Sequence, residues 1–274
     1  MSAHPHRCAV LGSPIEHSLS PALHQAAYAE LGLQDWSYDR FEMTADELPA
    51  FVASRDASWR GLSLTMPLKA VALQLGEVDR LAALAGAANT LIFTPEGRRV
   101  HNTDVGGLVA AVRGATPAPP ATVTILGAGA TARSSLVSAA QLGCTTVTVV
   151  VRRPSRGEAL RPLAGELGLE LSVLPWDSDL PAADLVISTV TAGAADARAE
   201  AIAASAPTVF DAIYDPWPTP LAVAAEAAGC TVLSGLDLLV EQAVLQIELM
   251  TGHVVPTELL MSAGRAVLEG RAHR

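Results

Sequence analysis

Short apolar runs alternate with stretches of helical periodicity along most of the chain. Cys8–Leu11 reads as a strand and Pro21–Leu31 as a helix closed by Gly32. Ser37–Met43 and Leu62–Thr65 read as further strands. Asn89–Phe93 and Arg98–His101 flank Thr94-Pro95-Glu96-Gly97, which predicts a hairpin turn. Centring the turn between Glu96 and Gly97 pairs residues whose numbers sum to about 193, so that Asn89 faces Asp104 across the ladder. A proline-rich break follows at Gly114–Ala121. Beyond it the strands are Thr122–Leu126, Thr145–Val151, Leu171–Leu174, Asp184–Ser188, Thr208–Ile213 and Thr231–Leu233. Helices are expected at Thr131–Leu142, near Arg156–Leu167, and at the C-terminal end over Leu236–Met250 and Pro256–Arg271. Short apolar strands separated by helices predict an α/β fold with a parallel sheet and right-handed crossovers.

Bulk properties narrow the function. The chain has 274 residues, half of them hydrophobic, enough for one large domain or two ordinary ones. A net charge of −10 makes nucleic acid a poor partner. No apolar stretch is long and uncharged enough to span a bilayer. Cys8, Cys144 and Cys230 form no CxxC pair and no metal-ligand spacing, so no metal site is expected and a reduced, cytoplasmic protein is the simple reading. His4 and His6 are read as part of a frayed terminus rather than as ligands.

Gly127-Ala128-Gly129-Ala130-Thr131-Ala132 follows one expected strand and opens one expected helix. This is the setting a dinucleotide demands: a tight turn, close backbone approach to a pyrophosphate, and a helix N-terminus as the anion site. The next strand ends in Arg152-Arg153-Pro154-Ser155-Arg156 with no carboxylate. An acidic residue there would take the ribose hydroxyls of NAD, whereas guanidinium groups suit the 2′-phosphate of NADP.

Lys69 lies in Leu64-Thr65-Met66-Pro67-Leu68-Lys69, before the apolar pattern Ala70–Leu75. Proline favours the first helical position, which predicts Lys69 in the first turn of a helix. A cation at that end opposes the macrodipole, so a chemical role explains it better than helix stability. Reduction of a ketone builds negative charge on oxygen and needs a proton donor, a role Lys69 can fill with Asp104 as partner. Asp104 alone would read as a helix cap; Asn89 opposite it favours function. Ser20 before Pro21 reads as a cap, Ser18 has no such account, and the two hydroxyls could hold a small carboxylate.

Five motifs occur in order: Gly12–Pro21, Leu64–Lys69, Ala88-Asn89-Thr90, Asn102-Thr103-Asp104, and Gly235-Leu236-Asp237-Leu238-Leu239-Val240-Glu241-Gln242-Ala243. With them the chain resembles the shikimate dehydrogenase family over nearly its whole length. The resemblance implies NADPH-dependent reduction of 3-dehydroshikimate to shikimate on the route to aromatic amino acids. It implies Lys69 and Asp104 as the catalytic pair, with Ser18, Ser20, Thr65, Asn89, Tyr214 and Gln242 as substrate ligands. Cofactor contacts would fall on residues 127–132, Arg152, Arg153, Arg156, Ser188, Thr189, Gly235 and Leu238. It also implies a discontinuous α/β substrate domain, residues 1–104 completed by 239–274. A Rossmann-type, doubly wound parallel-sheet NADP domain would span residues 105–238. The chain departs from the family pattern at Ser63, Gln25, His101, Ala130, Val151 and Leu238. A quinate/shikimate or aminoshikimate dehydrogenase and a non-catalytic NADP-binding regulator are the alternative readings. Monomer and homodimer both remain open.

Overall fold

The computed structural model describes residues 5–272. The chain divides into two compact units, residues 1–107 with 239–274, and residues 108–238.

The first unit is built on a six-stranded mixed sheet. Its strands are β1 (His6–Gly12), β2 (Trp36–Glu42), β3 (Trp59–Leu64), β4 (Glu77–Val78), β5 (Thr90–Thr94) and β6 (Gly97–His101). Their order is β2-β1-β3-β5-β6-β4. β1 pairs parallel with β2 and β3, whereas β5 runs antiparallel to both β3 and β6. Leu11, Leu62, Leu64, Leu91 and Val100 send side chains from this sheet into a buried cluster that also takes in Leu48, Val52, Trp59 and Leu68. Loss of that contact with water is the main driving force for the unit. The hairpin forms, but its register differs from the expected one. Thr90 pairs with His101 and Thr94 with Gly97, so the turn centres on Pro95 and Glu96 and the numbers sum to 191. β6 therefore ends at His101, and Asn102 to Asp104 leave the ladder rather than facing Asn89 within it.

The second unit carries an all-parallel sheet: β7 (Thr122–Leu126), β8 (Thr146–Val151), β9 (Glu170–Pro175), β10 (Leu185–Ser188), β11 (Thr208–Asp211) and β12 (Thr231–Ser234). The order β12-β11-β10-β7-β8-β9 is a doubly wound arrangement, reversing direction between β7 and β10. Ligands in such sheets bind beyond the carboxyl ends of the strands at that reversal. The interior strands β10 and β11 are buried at every residue, which explains their apolar stretches Leu185–Ile187 and Val209–Phe210; Ser188 and Asp211 close them at their carboxyl ends. The single helix expected near Arg156–Leu167 is two short ones, Pro154–Glu158 and Arg161–Glu166. Pro162 lies in the first turn of the second, where its missing N–H costs nothing, but it could not sit inside one continuous helix without loss.

His6 is not frayed. It opens β1, its Nδ1 accepts from Arg60 Nε at 3.0 Å, and its ring packs on Trp36. His4 lies outside the described residues. Among the described residues no helix is long and apolar enough to cross a membrane.

Candidate active site

In the first unit, Lys69 Nζ donates to Asp104 Oδ2 at 2.7 Å. The two side chains retain only 22% and 14% of their exposure, so the pair is largely out of water. Removing either partner would strand a poorly solvated charge. Lys69 reaches this place by a route the sequence did not suggest. Residues 65–70 form turns, one closed by Leu68 N–H to Thr65 O at 2.8 Å, and only Val71–Gln74 form a short 3₁₀-helix. The macrodipole argument for Lys69 therefore falls, because no α-helix begins there. What fixes Lys69 is the burial of Leu68 in the core and the hydrogen bond from Ala88 N–H to Lys69 O at 2.8 Å.

Asp104 occupies the first turn of the helix Thr103–Ala115. It is not the cap. Asn102 Oδ1 accepts from Val105 N–H at 3.2 Å, leaving the Asp104 carboxylate free for Lys69. Asn89 Nδ2 donates to the other oxygen, Oδ1, at 2.8 Å. The expected Asn89–Asp104 contact thus exists, made by the chain turning into the helix and not by ladder pairing. Asn89 Oδ1 accepts from Thr103 N–H at 2.8 Å, while Gln242 Oε1 lies 3.2 Å from Asn89 Nδ2. Gln242 comes from the helix Gly235–Thr251. The two helices approach closely: a Cβ on Gly107 would lie 2.7 Å from Gln242 N, and one on Gly106 would lie 2.7 Å from Leu245 Cδ1.

Ser18 and Ser20 stand at the start of the helix Ser20–Glu30. The cap position falls on Leu19, so the capping role expected of Ser20 is not met. Instead Ser18 Oγ accepts from Ser20 N–H at 3.3 Å. Thr65 follows β3, its N–H bonded to Leu11 O at 2.9 Å. Tyr214 belongs to the second unit, on the segment after β11, and is half-buried.

Sequence reasoning missed Thr103, Gln246, Ser63 and Tyr38 as site-forming residues. Tyr38 OH donates to Ser63 Oγ at 2.6 Å, and Ser63 Oγ donates to Gln246 Oε1 at 2.7 Å. Gln246 lies one turn after Gln242, and that i, i+4 spacing of two glutamines on one helix face was the available signal. His24 is wholly buried and stacked on Tyr38 with ring centroids 3.9 Å apart; burial pushes its imidazole down to about 3, so it stays neutral.

In the second unit a cavity of about 620 Å³ opens beside the glycine loop. It is lined by Gly127, Ala128, Gly129, Arg152, Arg153, Arg156 and Thr189 among the expected residues, and also by Trp176, Val190 and Thr191. Ala130, Thr131, Ala132, Ser188, Gly235 and Leu238 do not line it. Ala132 and Ser188 are buried; Gly235 is packed so tightly that a Cβ would collide with Ala212 O. Gly127 takes φ +108°, and a Cβ there would meet Thr189 Oγ1 at 2.6 Å. Around Gly129, the residue preceding the helix Ala130–Leu142, a Cβ would meet nothing within 4 Å. That leaves an open backbone cradle at a helix N-terminus. The lining holds three guanidinium groups and no carboxylate. Such a donor set fits a dinucleotide with an additional phosphate.

The family model for the shikimate dehydrogenase substrate binding domain matches residues 10–91, and that for the shikimate 5′-dehydrogenase C-terminal domain matches residues 235–263. The shikimate dehydrogenase (NADP(+)) of Methanothrix thermoacetophila is 37% identical, over 95% of this chain and 97% of its own. The crystal structure of Mycobacterium tuberculosis shikimate dehydrogenase is 44% identical with a TM-score of 0.90, covering 96% of this chain and all of that one (100%). Shikimate 5-dehydrogenase from Thermus thermophilus, solved in complex with NADP(H) and shikimate, is 31% identical with a TM-score of 0.83, over 96% and 100% of the two chains.

Proposed function

This chain belongs to the shikimate dehydrogenase family, and from that premise we propose that it interconverts 3-dehydroshikimate and shikimate with NADP(H), Lys69 and Asp104 forming the catalytic pair. The 2.7 Å contact between Lys69 Nζ and Asp104 Oδ2 carries the reading. NADPH, when bound, supplies the hydride to the carbonyl carbon. The cavity residues of the glycine loop would hold its pyrophosphate, and Arg152, Arg153 and Arg156 its 2′-phosphate. Lys69 presents a positive charge and a proton to the oxygen on which negative charge builds. Asp104 holds that ammonium in place, and Asn89 holds Asp104. Such groups need no reorganisation during the reaction, which is where preorganised charge gains its advantage.

Ser18, Ser20, Thr65, Asn89, Tyr214 and Gln242 are assigned to the substrate, and residues 1–104 with 239–274 to its domain. Hydroxyl and amide groups suit a polyhydroxylated carboxylate, since each offers both donor and acceptor capacity. The assignment of residues 105–238 to NADP rests on the parallel sheet and its cradle.

A cell-free assay of NADP⁺ reduction with shikimate tests the reading. The wild type should turn over, and Lys69→Ala should lose at least about a hundredfold in kcat while still binding NADP⁺. Undiminished turnover by Lys69→Ala removes Lys69 from the chemistry. Comparing shikimate, quinate and amino analogues with both nicotinamide cofactors separates the family's close relatives.

A further inference from the structure

Gln246 is 1% exposed and makes three hydrogen bonds, none used in the mechanism above. Its Nε2 donates to Asn89 O at 3.2 Å and to Thr90 Oγ1 at 2.9 Å, and its Oε1 accepts from Ser63 Oγ at 2.7 Å. Thr90 Oγ1 lies 3.0 Å from Asn89 Oδ1.

The polarity of this network follows from groups that can play only one role. A backbone carbonyl only accepts, so the Gln246 atom facing Asn89 O is its nitrogen. A backbone N–H only donates, so the Asn89 atom facing Thr103 N is its oxygen. Asn89 Nδ2 is then the atom left to face the Asp104 carboxylate. The Thr90 hydroxyl sits between a donor, Gln246 Nε2, and an acceptor, Asn89 Oδ1, and must accept from one and donate to the other. Likewise Ser63 donates to Gln246 and accepts from Tyr38 OH at 2.6 Å. Every proton therefore points one way, from Tyr38 through Ser63 to Gln246, and from Gln246 through Thr90 to Asn89 and on to Asp104.

We infer that Gln246 is a positioning residue for the reaction: acting through Thr90, it fixes the amide orientation of Asn89 and so the carboxylate of Asp104. The inference rests on the assignment of Lys69 and Asp104 as the catalytic pair. Gln242 grips the Asn89 side chain from one helical turn away, while Gln246 grips its main chain and sets the hydroxyl that locks its flip. Thr103 N–H holds the Asn89 oxygen on one side and the Thr90 hydroxyl holds it on the other. With Thr90 turned away, one of the two bonds that oppose a half-turn of the amide is lost, and a turned amide would offer Asp104 an oxygen, which repels it.

Gln246→Glu is the direct probe, being the same shape without the donor. Once ionised, at the alkaline end of the assay range, the carboxylate accepts from Thr90, which then cannot donate to Asn89. Expected is a fall in kcat of about tenfold to a hundredfold, larger than any rise in KM for shikimate, with NADP⁺ affinity unchanged. Thr90→Val, which keeps the shape and removes the hydroxyl, should lose as much, and Thr90→Ser should restore at least about half of kcat. The double variant Gln246→Glu with Thr90→Val should be no slower than the slower single variant, since both break one path. All rates are taken per NADP⁺ site titrated by fluorescence, so a fraction of unfolded protein does not mimic the effect. If Gln246→Glu does not fold, the Thr90 pair carries the test alone. Wild-type kcat in Gln246→Glu, or equal losses in Thr90→Val and Thr90→Ser, overturns the inference. Because Lys69→Ala is read in the same assay, its collapse beside an unaffected Gln246→Glu would remove this inference and leave the catalytic pair standing.

Discussion

Replacing Arg152 and Arg153 together by alanine tests the cofactor reading most sharply. Both guanidinium groups line the cavity and both are exposed. Neither spends its charge on a salt bridge among the described residues. Solvent screens exposed charges, so the lower end of the range for a charge-assisted hydrogen bond applies, about 1.5 kcal/mol each. Two such losses amount to about 3 kcal/mol, or on the order of a hundredfold in Kd for NADP(H). Arg156 remains in the double variant and keeps some attraction for the phosphate. NAD(H) lacks the 2′-phosphate proposed to be held by these arginines, so its Kd should move by less than about threefold. Fluorescence titration of both reduced cofactors into wild type and variant reads the two ratios directly. Raising the ionic strength should weaken NADP(H) binding to the wild type more than to the variant, because screening acts on the charges removed. Equal weakening for NADP(H) and NAD(H) would refute the reasoning, since it would mean that the arginines hold the shared pyrophosphate or simply the loop.

The other predictions concern the scaffold. Gly127→Ala should abolish cofactor binding and destabilise the second unit by more than about 1 kcal/mol, since its φ of +108° and the Thr189 contact both oppose a Cβ; thermal unfolding and NADP⁺ titration check this, and wild-type affinity counts against it. The buried imidazole of His24 takes up a proton at about 3 in the fold and near 6.5 in the unfolded chain. Its effect on stability is therefore nil well above pH 6.5 and grows unfavourably as the pH falls from there toward 3, at about 1.4 kcal/mol per unit. Urea unfolding at pH 7, 6 and 5 should show about 2 kcal/mol lost to this group by pH 5, and His24→Phe should flatten the slope. An identical slope in the variant would locate the acid sensitivity elsewhere.

Much of the architecture was written in the order of apolar runs. In the second unit β7 and β8 could be placed almost residue by residue, because their β-branched runs are buried nearly throughout and too short for a helix, whereas the edge strands β9 and β12 are partly exposed and gave weaker patterns. Less visible were elements that tertiary contacts impose on weak local patterns, such as the two-residue strand β4 and the six-residue helices Leu48–Ala53 and Arg80–Ala85. At Lys69 the reason offered by the sequence fails. Its neighbours form turns before a short 3₁₀-helix, so the supposed conflict with a helix dipole never arises. The hairpin gives a similar lesson: a turn centre misplaced by one residue moves every pairing by two, which preserves the face each side chain points to but changes its partner. Asn89 still met Asp104 because the chain bends into a helix capped by Asn102, a feature no ladder count could contain. Gln246 stayed hidden for another reason. A glutamine in an apolar helix reads as a surface position until the sheet beneath it is known to expose a carbonyl and a hydroxyl.

Gly107 has a consequence out of proportion to its size. By bringing no side chain, it lets the backbone of one helix rest against Gln242 on another. The bonds from Asn89 and Thr103 to Gln242 Oε1, at 3.2 and 3.4 Å, are already near the limit of reach. A methyl group at position 107 would act as a spacer, and those two long bonds would be the first to part. The electrostatics of this lobe thus depend on a place where nothing chemical happens, and a redesign that kept each polar residue yet filled that gap would preserve the parts and lose their alignment.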